Sequence, residues 1–458
     1  MKNFLIRFLK WISVFLLFLL VIAVAVIGKI DREPFKGSEA YQATFQAINE
    51  TDFPNKISEA PLQAGWAKAN IVPSEPHVMA GYGIRGEFES VHDSLYTRVF
   101  VLEQGTSKAV LVTLDLMIFP PAVVERLNEK LSEIGIDKDQ VYCSATHTHN
   151  GYGGWDPSAV GQAMTGIFSE EVVEFIASQI FEAVTEANSQ KDVAAISFGK
   201  EAAPDYVANR LVGEDGDRDV WLRYIKIQQE GGKTAILSSY SAHATCISKK
   251  KLTLSCDYPG DLIAELEQDD RVDFAAFCAG MVASHSPNYK QGENFDLTEK
   301  MGKGLSAIIL SSIDSVKVIA DAPLYACHIP INLGEAQFRL SQDLRLRDWV
   351  FGGIAGDLNA DISVLRIGDI LLLGMPCDFS GEISVNHHFD QKAEEHGLNL
   401  MVTSFNGYYV GYITADKYYD KVKRAEVREM NWVGPYKGAF FAEIVEQILS
   451  KFPNKPQA

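Results

Sequence analysis

The sequence has little cysteine, and no two cysteines have the spacing typical of a structural zinc site. Six cysteines are spread over 458 residues without a C-x-x-C motif, which excludes a zinc ribbon and a dense disulfide framework. Several lie in apolar, strand-like runs, where a thiol packs as a small hydrophobe. If the chain is exported, a disulfide such as Cys246 with Cys256 is permitted, but the sequence does not establish it.

Positive charge is scarce relative to negative charge. The chain has 42 lysines and arginines against 60 aspartates and glutamates, a formal net charge of -18. Nucleic-acid binding needs a basic face that neutralises phosphates, so no nucleic-acid partner is expected. The same balance disfavours electrostatic adhesion to anionic lipid, so any membrane contact must be hydrophobic.

One long apolar run is present, near the N-terminus. It extends without charge from Trp11 to Gly28, after three basic residues within the first ten. As a helix, at about 1.5 Å per residue, it reaches roughly 27 Å, close to the thickness of a hydrocarbon core. We predict a transmembrane signal anchor at residues 1–30, with the rest of the chain exported to the periplasm or the extracellular side. Ala23-Val24-Ala25 resembles a cleavage site, so a removed signal peptide is the alternative.

The remainder of the chain is predicted to form one unit. Residues 31–60 are polar and turn-rich and are predicted to be a stalk. From 61 to 455, strand-like and helix-like segments alternate without a repeat or long linker, which predicts one large catalytic domain of the α/β class, with mixed sheets flanked by helices. Apolar patterns predict a strand over 108–119, helices over 120–131, 169–188 and 440–452, and a hairpin over 362–376 turning at Gly368-Asp369.

A possible metal motif, His147-Thr148-His149, follows a strand-like run and leads into a glycine-rich loop. In an extended segment alternate side chains face the same side, so both imidazoles can point into one cleft. Neutral imidazole is the commonest protein ligand for zinc. Many such pairs are hydrogen-bonded loop residues, so the motif alone is a weak signal.

Three further polar residues come after strand-like runs. His243 ends the run 234–242, Asp378 follows the run 370–376, and Tyr412 comes after the run 398–405. Strand ends that converge on one rim are where open α/β sheets place their ligands. Taken alone, His243 can equally be structural, Asp378 a helix cap or a surface charge, and Tyr412 a packing residue.

Several motifs, in this order, resemble those of the neutral, non-lysosomal ceramidase family. They are MAGYG at 79–83, RVFV at 98–101, TLDLM at 113–117, HTH at 147–149, NR at 209–210, the His243 segment with DYPG at 257–260, SPN at 286–288, LRIG at 365–368, PCDFS at 376–380 and GYIT at 411–414. The resemblance covers residues from about 60 to 452 and is to the catalytic domain. Known ceramidases of the family generally carry a further C-terminal immunoglobulin-like domain, which this chain is not expected to contain.

The resemblance implies a zinc site. In the family the metal is held by the first histidine of the H-T-H motif, a later strand-end histidine, a carboxylate and a tyrosine, which implies His147, His243, Asp378 and Tyr412 here. The family usually has glutamate at the third position. Aspartate is one methylene shorter, so the backbone must lie closer or a water must intervene. Glu382, one helical turn later, is the alternative ligand.

The resemblance also implies catalytic residues. His149 and Arg210 are expected beside the zinc, where they hold the substrate or the tetrahedral intermediate; a supporting hydrogen bond and a surface ion pair are the alternatives. The family pattern Gly-Asp-x-Ser-Pro-Asn carries a serine assigned a nucleophile or transition-state role. Ser286 matches it, although the aspartate is absent here, and Ser284 is the alternative. His285 between them could act as a base.

The predicted chemistry follows from this ligand set. Nitrogen and oxygen ligands with an open position suit a catalytic zinc ion, which lowers the pKa of bound water to about 7 and polarises a carbonyl. We therefore predict a zinc-dependent hydrolase that cleaves an amide bond of ceramide or a related N-acyl lipid by metal-activated water. A hydrolase for a different amide or ester, and a non-catalytic membrane-tethered binding protein, are the alternatives. Asp115, which ends a buried strand, is a candidate to orient a ligand histidine.

Overall fold

The computed structural model describes residues 2–54, 59–83, 85–319 and 323–453. Five parts of the predicted domains lie outside the described residues. These are residue 1 of the predicted anchor, residues 55–58 of the predicted stalk, and residues 84, 320–322 and 454–455 of the predicted catalytic domain.

Helices occur throughout the described residues. They are α1 (Lys2–Val26), α2 (Glu39–Glu50), α3 (Pro121–Ser132), α4 (Ala159–Thr165), α5 (Glu170–Ser189), α6 (Tyr258–Glu267), α7 (Asn294–Ser312), α8 (Asp348–Ala355), α9 (Gly381–Asn386), α10 (Phe389–Glu395) and α11 (Lys437–Leu449).

The strands alternate with these helices along the chain. They are β1 (Ile27–Lys29), β2 (Gln63–Asn70), β3 (Ser90–Val91), β4 (Tyr96–Gln104), β5 (Ser107–Leu114), β6 (Val141–Ala145), β7 (Asp192–Ala202), β8 (Val207–Asn209), β9 (Trp221–Gln229), β10 (Thr234–Tyr240), β11 (Thr253–Leu254), β12 (Phe274–Ala279), β13 (His285–Pro287), β14 (Val318–Ile319), β15 (Leu324–Ile331), β16 (Leu344–Leu346), β17 (Ala360–Ile367), β18 (Ile370–Met375), β19 (Asp378–Phe379), β20 (Asn399–Ser404) and β21 (Tyr412–Ile413).

The larger sheet is mixed and strongly curled. Its strand order is β12-β10-β9-β7-β2-β4-β5-β6, with β14 beside β7. Although β5 and β12 are far apart in this order, the Thr113 hydroxyl on β5 donates a hydrogen bond of 2.6 Å to the carbonyl of Phe277 on β12. Right-handed strand twist accumulates across a wide sheet and curls it in this way. Because of the curl, the C-terminal ends of β6 and β10 lie close together.

A smaller sheet packs against the larger one, and helices cover both outer faces. Its order is β15-β17-β18-β20. Trp66, Phe100 and Leu111 from the larger sheet meet Leu372 and Met401 from the smaller sheet in one buried cluster. The outer face of the larger sheet packs on α3, α5, α6 and α7, and that of the smaller sheet on α9, α10 and α11. These four layers confirm the predicted α/β class with mixed sheets flanked by helices.

Local patterns placed most of the predicted elements correctly. The hairpin of β17 and β18 turns at Gly368-Asp369, with Ile367 paired to Ile370, and α5 begins after Ser169, whose hydroxyl accepts from the Val172 amide. The strand predicted to continue to residue 119 ends at Leu114. The chain leaves the ladder at Asp115, whose carboxylate accepts a hydrogen bond of 2.8 Å from the Tyr96 amide.

The segment predicted to be a stalk is instead folded onto the catalytic unit in its described part. Helix α2 places Tyr41, Phe45 and Ile48 on one side, at the spacing of an amphipathic helix. Ile48 is fully buried, and the ring centroids of Tyr41 and Phe45 lie 5.9 and 6.2 Å from that of Phe440 on α11. These contacts dock the described part of the segment on the catalytic unit.

Helix α1 stands out from this unit. From Phe4 to Val26 it is long and apolar enough to cross a membrane, with a mean hydropathy of 2.7 in its most apolar window, none of which is buried. An N-terminal helix of this kind is typical of either a signal anchor or a signal peptide.

Candidate metal centre and active-site cavity

His147 follows β6 in a conformation that its sequence did not predict. Its φ of 63° lies in the left-handed region, which non-glycine residues rarely adopt. The H-T-H segment is therefore not extended, and the prediction that its alternate side chains face the same side of a strand is wrong. The chain turns at His147, and the rings of His147 and His149 still lie in one group with His243. The His147 ring stacks on Phe405, with ring centroids 4.2 Å apart.

His243 follows β10 and faces His147 across the closed edge of the curled sheet. Their Nε2 atoms are 2.7 Å apart. The Nδ1 atom of His243 lies 3.0 Å from the carbonyl of Val282, and the Nδ1 atom of His147 contacts the carbonyl of Met117. A carbonyl accepts a hydrogen bond, so both rings carry their proton on Nδ1 and present a lone pair at Nε2.

Asp378 completes this centre together with Tyr412. The Asp378 Oδ1 atom is 3.4 Å from His147 Nε2 and 3.5 Å from His243 Nε2, and the Tyr412 hydroxyl is 3.2 Å from His243 Nε2. The two residues come from β19 and β21, a parallel ladder that pairs Asp378 directly with Tyr412. This short ladder puts the carboxylate and the phenol side by side.

The centre fits a cation. Two nitrogen lone pairs at 2.7 Å repel each other unless a positive charge lies between them. Asp378 is fully buried, and its Oδ1 atom has no hydrogen-bond partner in the described part of the chain. A buried carboxylate needs such a partner or a metal. Among the described residues His147, His149 and His243 form a group whose ligand atoms lie within 4.8 Å of one another.

The local environment keeps the imidazoles neutral. Burial lowers the pKa of His147 and of His243 well below the usual histidine value, and neighbouring cationic groups act in the same direction. Burial raises the pKa of Asp378 to about 7, against the opposing effect of Arg210. Neutral imidazoles are the form that binds a metal ion, and a metal ion would stabilise the Asp378 carboxylate.

His149 and Arg210 lie beside the residues of this centre. The Nε2 atom of His149 is 3.1 Å from that of His147, and burial lowers the pKa of His149 to about 3. Gly81 lies so close to His149 that a Cβ on Gly81 would come within 2.6 Å of the His149 Cα, so glycine is required there. The Arg210 guanidinium is 5.4 Å from the Tyr412 ring centroid, and its Nη2 is buried without a hydrogen-bond partner among the described residues.

Glu382 and Asp115 have other partners. The Glu382 carboxylate accepts hydrogen bonds from Asn209 and Tyr418, at 3.1 and 2.7 Å, and pairs with Lys417 at 2.6 Å. The carboxylate of Glu382, the alternative ligand predicted from the sequence, is therefore bound by these other residues. Asp115 forms a buried ion pair with Arg98 at 2.7 Å. His147 and His243 are oriented instead by the carbonyls of Met117 and Val282, which no side-chain pattern could predict.

The serine segment lies next to Arg210, whose amide donates to the carbonyl of Ser284 at 2.9 Å. Strand β13 pairs Ser286 with Ala208, just before Arg210. The Ser286 hydroxyl donates to the carbonyl of Pro287 at 3.1 Å, and the Ser284 hydroxyl accepts from Ser380 at 2.7 Å. His285 is 3.4 Å from Ser284 through its Nδ1 and accepts from the Asp219 amide through its Nε2.

A cavity of about 370 Å³ opens onto the metal centre. His147, His149 and Tyr412 lie in its wall, and much of the remaining lining is apolar, including Met117, Ile118, Ala122, Trp155, Val160, Met164 and Trp432. This size and composition are typical of a small-ligand site. No sequence pattern predicted a role in the site for these apolar residues. The same is true of Tyr409, whose hydroxyl donates to Asp378 Oδ2 at 2.8 Å.

The chain is similar in sequence to known proteins. A family model described as neutral/alkaline non-lysosomal ceramidase, N-terminal, matches residues 63–301. The neutral ceramidase of Pseudomonas aeruginosa is 26% identical to the chain in an alignment of 278 positions, which covers 54% of this chain and 41% of that protein. The match thus spans less than half the length of this curated relative.

Solved structures show the same fold. The crystal structure of neutral ceramidase from Pseudomonas aeruginosa superposes with a TM-score of 0.72 at 19% identity, over 88% of this chain and 76% of that chain. A structure named "Ceramidase complexed with C2" gives a TM-score of 0.71 at 18% identity, over 87% and 77% of the two chains. The predicted family resemblance is confirmed.

Proposed function

Because the chain belongs to the neutral/alkaline non-lysosomal ceramidase family, we propose that it is a zinc-dependent hydrolase that cleaves the amide bond of ceramide or a related N-acyl lipid. The observation that carries this proposal is the convergence of His147, His243, Asp378 and Tyr412 on one centre, two of which, His147 and Tyr412, also line the cavity. These four residues would hold the metal. When bound, zinc supplies Lewis-acid chemistry, polarising a carbonyl and acidifying water.

The surrounding residues supply binding and charge stabilisation. Arg210 has an unpaired buried donor and lies beside the Tyr412 ring, so it can donate to the oxygen that becomes negative as the carbonyl carbon turns tetrahedral. His149 is neutral and lies in the cavity wall, so it can hydrogen-bond to the substrate amide. The apolar wall, including Met117, Ile118 and Met164, excludes water and suits an acyl chain.

The dependence of turnover on acyl-chain length tests the substrate class. Each buried methylene stabilises a complex by about 0.8 kcal/mol, so kcat/KM is expected to rise about fourfold per methylene until the cavity is filled. The measurement uses the purified full chain in detergent with an N-acyl series on one amine. Equal rates for short and long chains would point to a different amide or ester. No turnover of any amide or ester by the zinc-loaded chain would favour a membrane-tethered binding protein.

His149→Ala is expected to keep zinc at one per chain while kcat falls by about 10²-fold or more. The reason is that His149 is proposed to hold the substrate, and loss of one preorganised hydrogen-bonding group at a reacting carbonyl costs about that factor. Elemental analysis and steady-state kinetics on the same preparation check both parts. Loss of the metal would instead make His149 a ligand, which its 3.1 Å distance from His147 Nε2 also allows.

Ser286→Ala is expected to lower turnover by less than about tenfold and to leave zinc in place. Ser286 is kept as a catalytic proposal because its strand neighbours Arg210, but its hydroxyl is bonded to the Pro287 carbonyl. The effect should therefore arise from a shift of Arg210. Ser284→Ala, which removes the bond to Ser380, is the matched comparison. A fall above about 10³-fold for Ser286→Ala would assign that serine a direct role in the chemistry.

The membrane anchor is part of the same proposal. Helix α1 is taken as an uncleaved signal anchor with its basic end in the cytoplasm, which leaves the catalytic unit on the extracytoplasmic side. A mature chain that begins after residue 25, as read by N-terminal mass spectrometry, would contradict the anchor without affecting the metal centre.

A further inference from the structure

The end of helix α1 is fixed to the catalytic unit. Directly after Val26, β1 pairs antiparallel with β16, matching Ile27 with Leu346 and Lys29 with Leu344. The Arg347 amide donates to the Val26 carbonyl at 2.8 Å, and the Arg347 Nε donates to the Val24 carbonyl at 3.1 Å. These bonds join the helix to the catalytic unit without a flexible linker, so the helix sets the orientation of the whole unit.

Exposed apolar side chains surround this junction. Trp349 is 64% exposed, and its indole Nε1 donates to the carbonyl of Ala25, one residue before the helix ends. Leu344 lies on β16, Leu340 lies close to it through a backbone hydrogen bond of 2.8 Å, and Ile354 lies further along α8. We call this set, with Ile167 just after α4, the apolar rim: Ile167, Leu340, Leu344, Trp349 and Ile354.

The apolar rim leads to the cavity. Helix α8 carries Trp349 and Ile354, and the next residues, Ala355 to Asp357, lie in the cavity wall. Helix α4 packs against α8 and contributes Val160 and Met164 to the same wall. One wall of the cavity therefore lies on the side of the unit where α1 joins it.

The depth of the rim follows from the helix. A span from Phe4 to Val26 is about 35 Å long at 1.5 Å per residue, slightly more than a hydrocarbon core. Groups bonded to the carbonyls of Val24 and Ala25 must then lie near the boundary between hydrocarbon and headgroups. Tryptophan with a satisfied indole N–H is typical of that boundary. Single apolar side chains are common on surfaces, but a set next to a spanning helix indicates a membrane contact.

We propose that the apolar rim inserts into the headgroup region of the bilayer that holds α1, so that the cavity takes its substrate laterally from that leaflet. The occupant of the rim is the lipid surface. The net charge of the protein chain is -18, so the chain as a whole is not attracted electrostatically to anionic lipid. Contact is therefore expected with neutral phosphatidylcholine. The contact rests on the proposed membrane anchor, and the identity of the substrate rests on the proposed hydrolysis.

Spin labelling tests the contact without an assay of activity. A nitroxide is attached at Ile354→Cys in the intact full chain in phosphatidylcholine vesicles, with Ile134→Cys as the matched control. The two isoleucines are 38% and 42% exposed, and five of the six native cysteines are buried, with Cys327 half-buried. We expect the label at 354 to be relaxed more by oxygen than by a water-soluble nickel complex, and the label at 134 to show the reverse. Equal access of the nickel complex at both positions would overturn the proposal.

An activity arm separates the contact from the chemistry. Ile354→Glu is expected to lower hydrolysis of a vesicle-borne long-chain N-acyl lipid about tenfold. Hydrolysis of a soluble short-chain N-acyl amide is expected to stay unchanged, because neither Ile354 nor Ile134 lies in the cavity wall. Ile134→Glu should change neither rate. Equal losses on both substrates would contradict lateral uptake. Insertion of the label without hydrolysis of any amide would support the contact and contradict the proposed function.

Discussion

His243→Ala is expected to leave a folded chain that holds less than about 0.1 zinc ions and turns over at least about 10³-fold more slowly. A Lewis acid at a reacting carbonyl is worth several kcal/mol of barrier, and each 1.36 kcal/mol is about a factor of ten. The variant removes one of the two facing nitrogens and leaves Asp378 without one of its two imidazole neighbours. Elemental analysis of dialysed protein and kcat on the same sample measure both effects.

His328→Ala is the matched control for that variant. His328 pairs with Asp361 at 3.1 Å and contacts the carbonyl of Val141 at 2.9 Å, outside the metal centre. The His328→Ala variant is expected to keep one zinc ion per chain and nearly full turnover, although it loses the ion pair with Asp361. Stoichiometric zinc in His243→Ala would show that the proposed coordination is wrong, while metal loss in both variants would point to general destabilisation.

Asp115→Ala is expected to lower the free energy of unfolding by about 3–5 kcal/mol while the metal centre stays intact. The variant leaves the Arg98 guanidinium buried without its partner carboxylate, and breaking a buried ion pair from one side costs about that much. It also removes the acceptor of the Tyr96 amide. Chemical denaturation gives the stability, and zinc content at low temperature tests the site.

Glu174→Ala provides the comparison for a solvent-exposed pair. Its carboxylate pairs with Arg126 at 2.7 Å and Lys130 at 2.5 Å on the helix surface, where such pairs contribute less than about 1 kcal/mol each. The free energy of unfolding is therefore expected to fall much less in Glu174→Ala than in Asp115→Ala. If Asp115→Ala lost zinc at unchanged stability, the sequence-based role of Asp115 in orienting a histidine would be right and the structural one wrong.

Elements governed by local periodicity could be predicted from the sequence. The apolar stripe from Val172 to Val184 predicts α5 because one face of a helix is buried, and the apolar arms around Gly368-Asp369 predict the hairpin. The identity of the metal-centre residues required the family resemblance. Nothing local distinguishes Asp378 from a capping or surface carboxylate before its partner on β21 is known.

Geometry that depends on distant parts of the chain could not be predicted. His147 and His243 follow strands near opposite ends of the larger sheet, and only the curl of that sheet brings them to 2.7 Å. The left-handed backbone of His147 has no sequence signal, since glycine is absent at that position. Folding of the 31–54 segment onto α11 depends on Phe440, almost four hundred residues away.

The two halves of the metal centre reach completion at different stages of synthesis. His147 and His243 belong to the larger sheet, whereas Asp378 and Tyr412 come from the β19–β21 ladder much later in the chain. A nascent chain that has produced only the first half would carry two imidazoles without the carboxylate and phenol, and would exchange its metal readily. If the centre holds the proposed ion, tight retention would mark the moment when the C-terminal half has docked, and metal content would then report finished assembly.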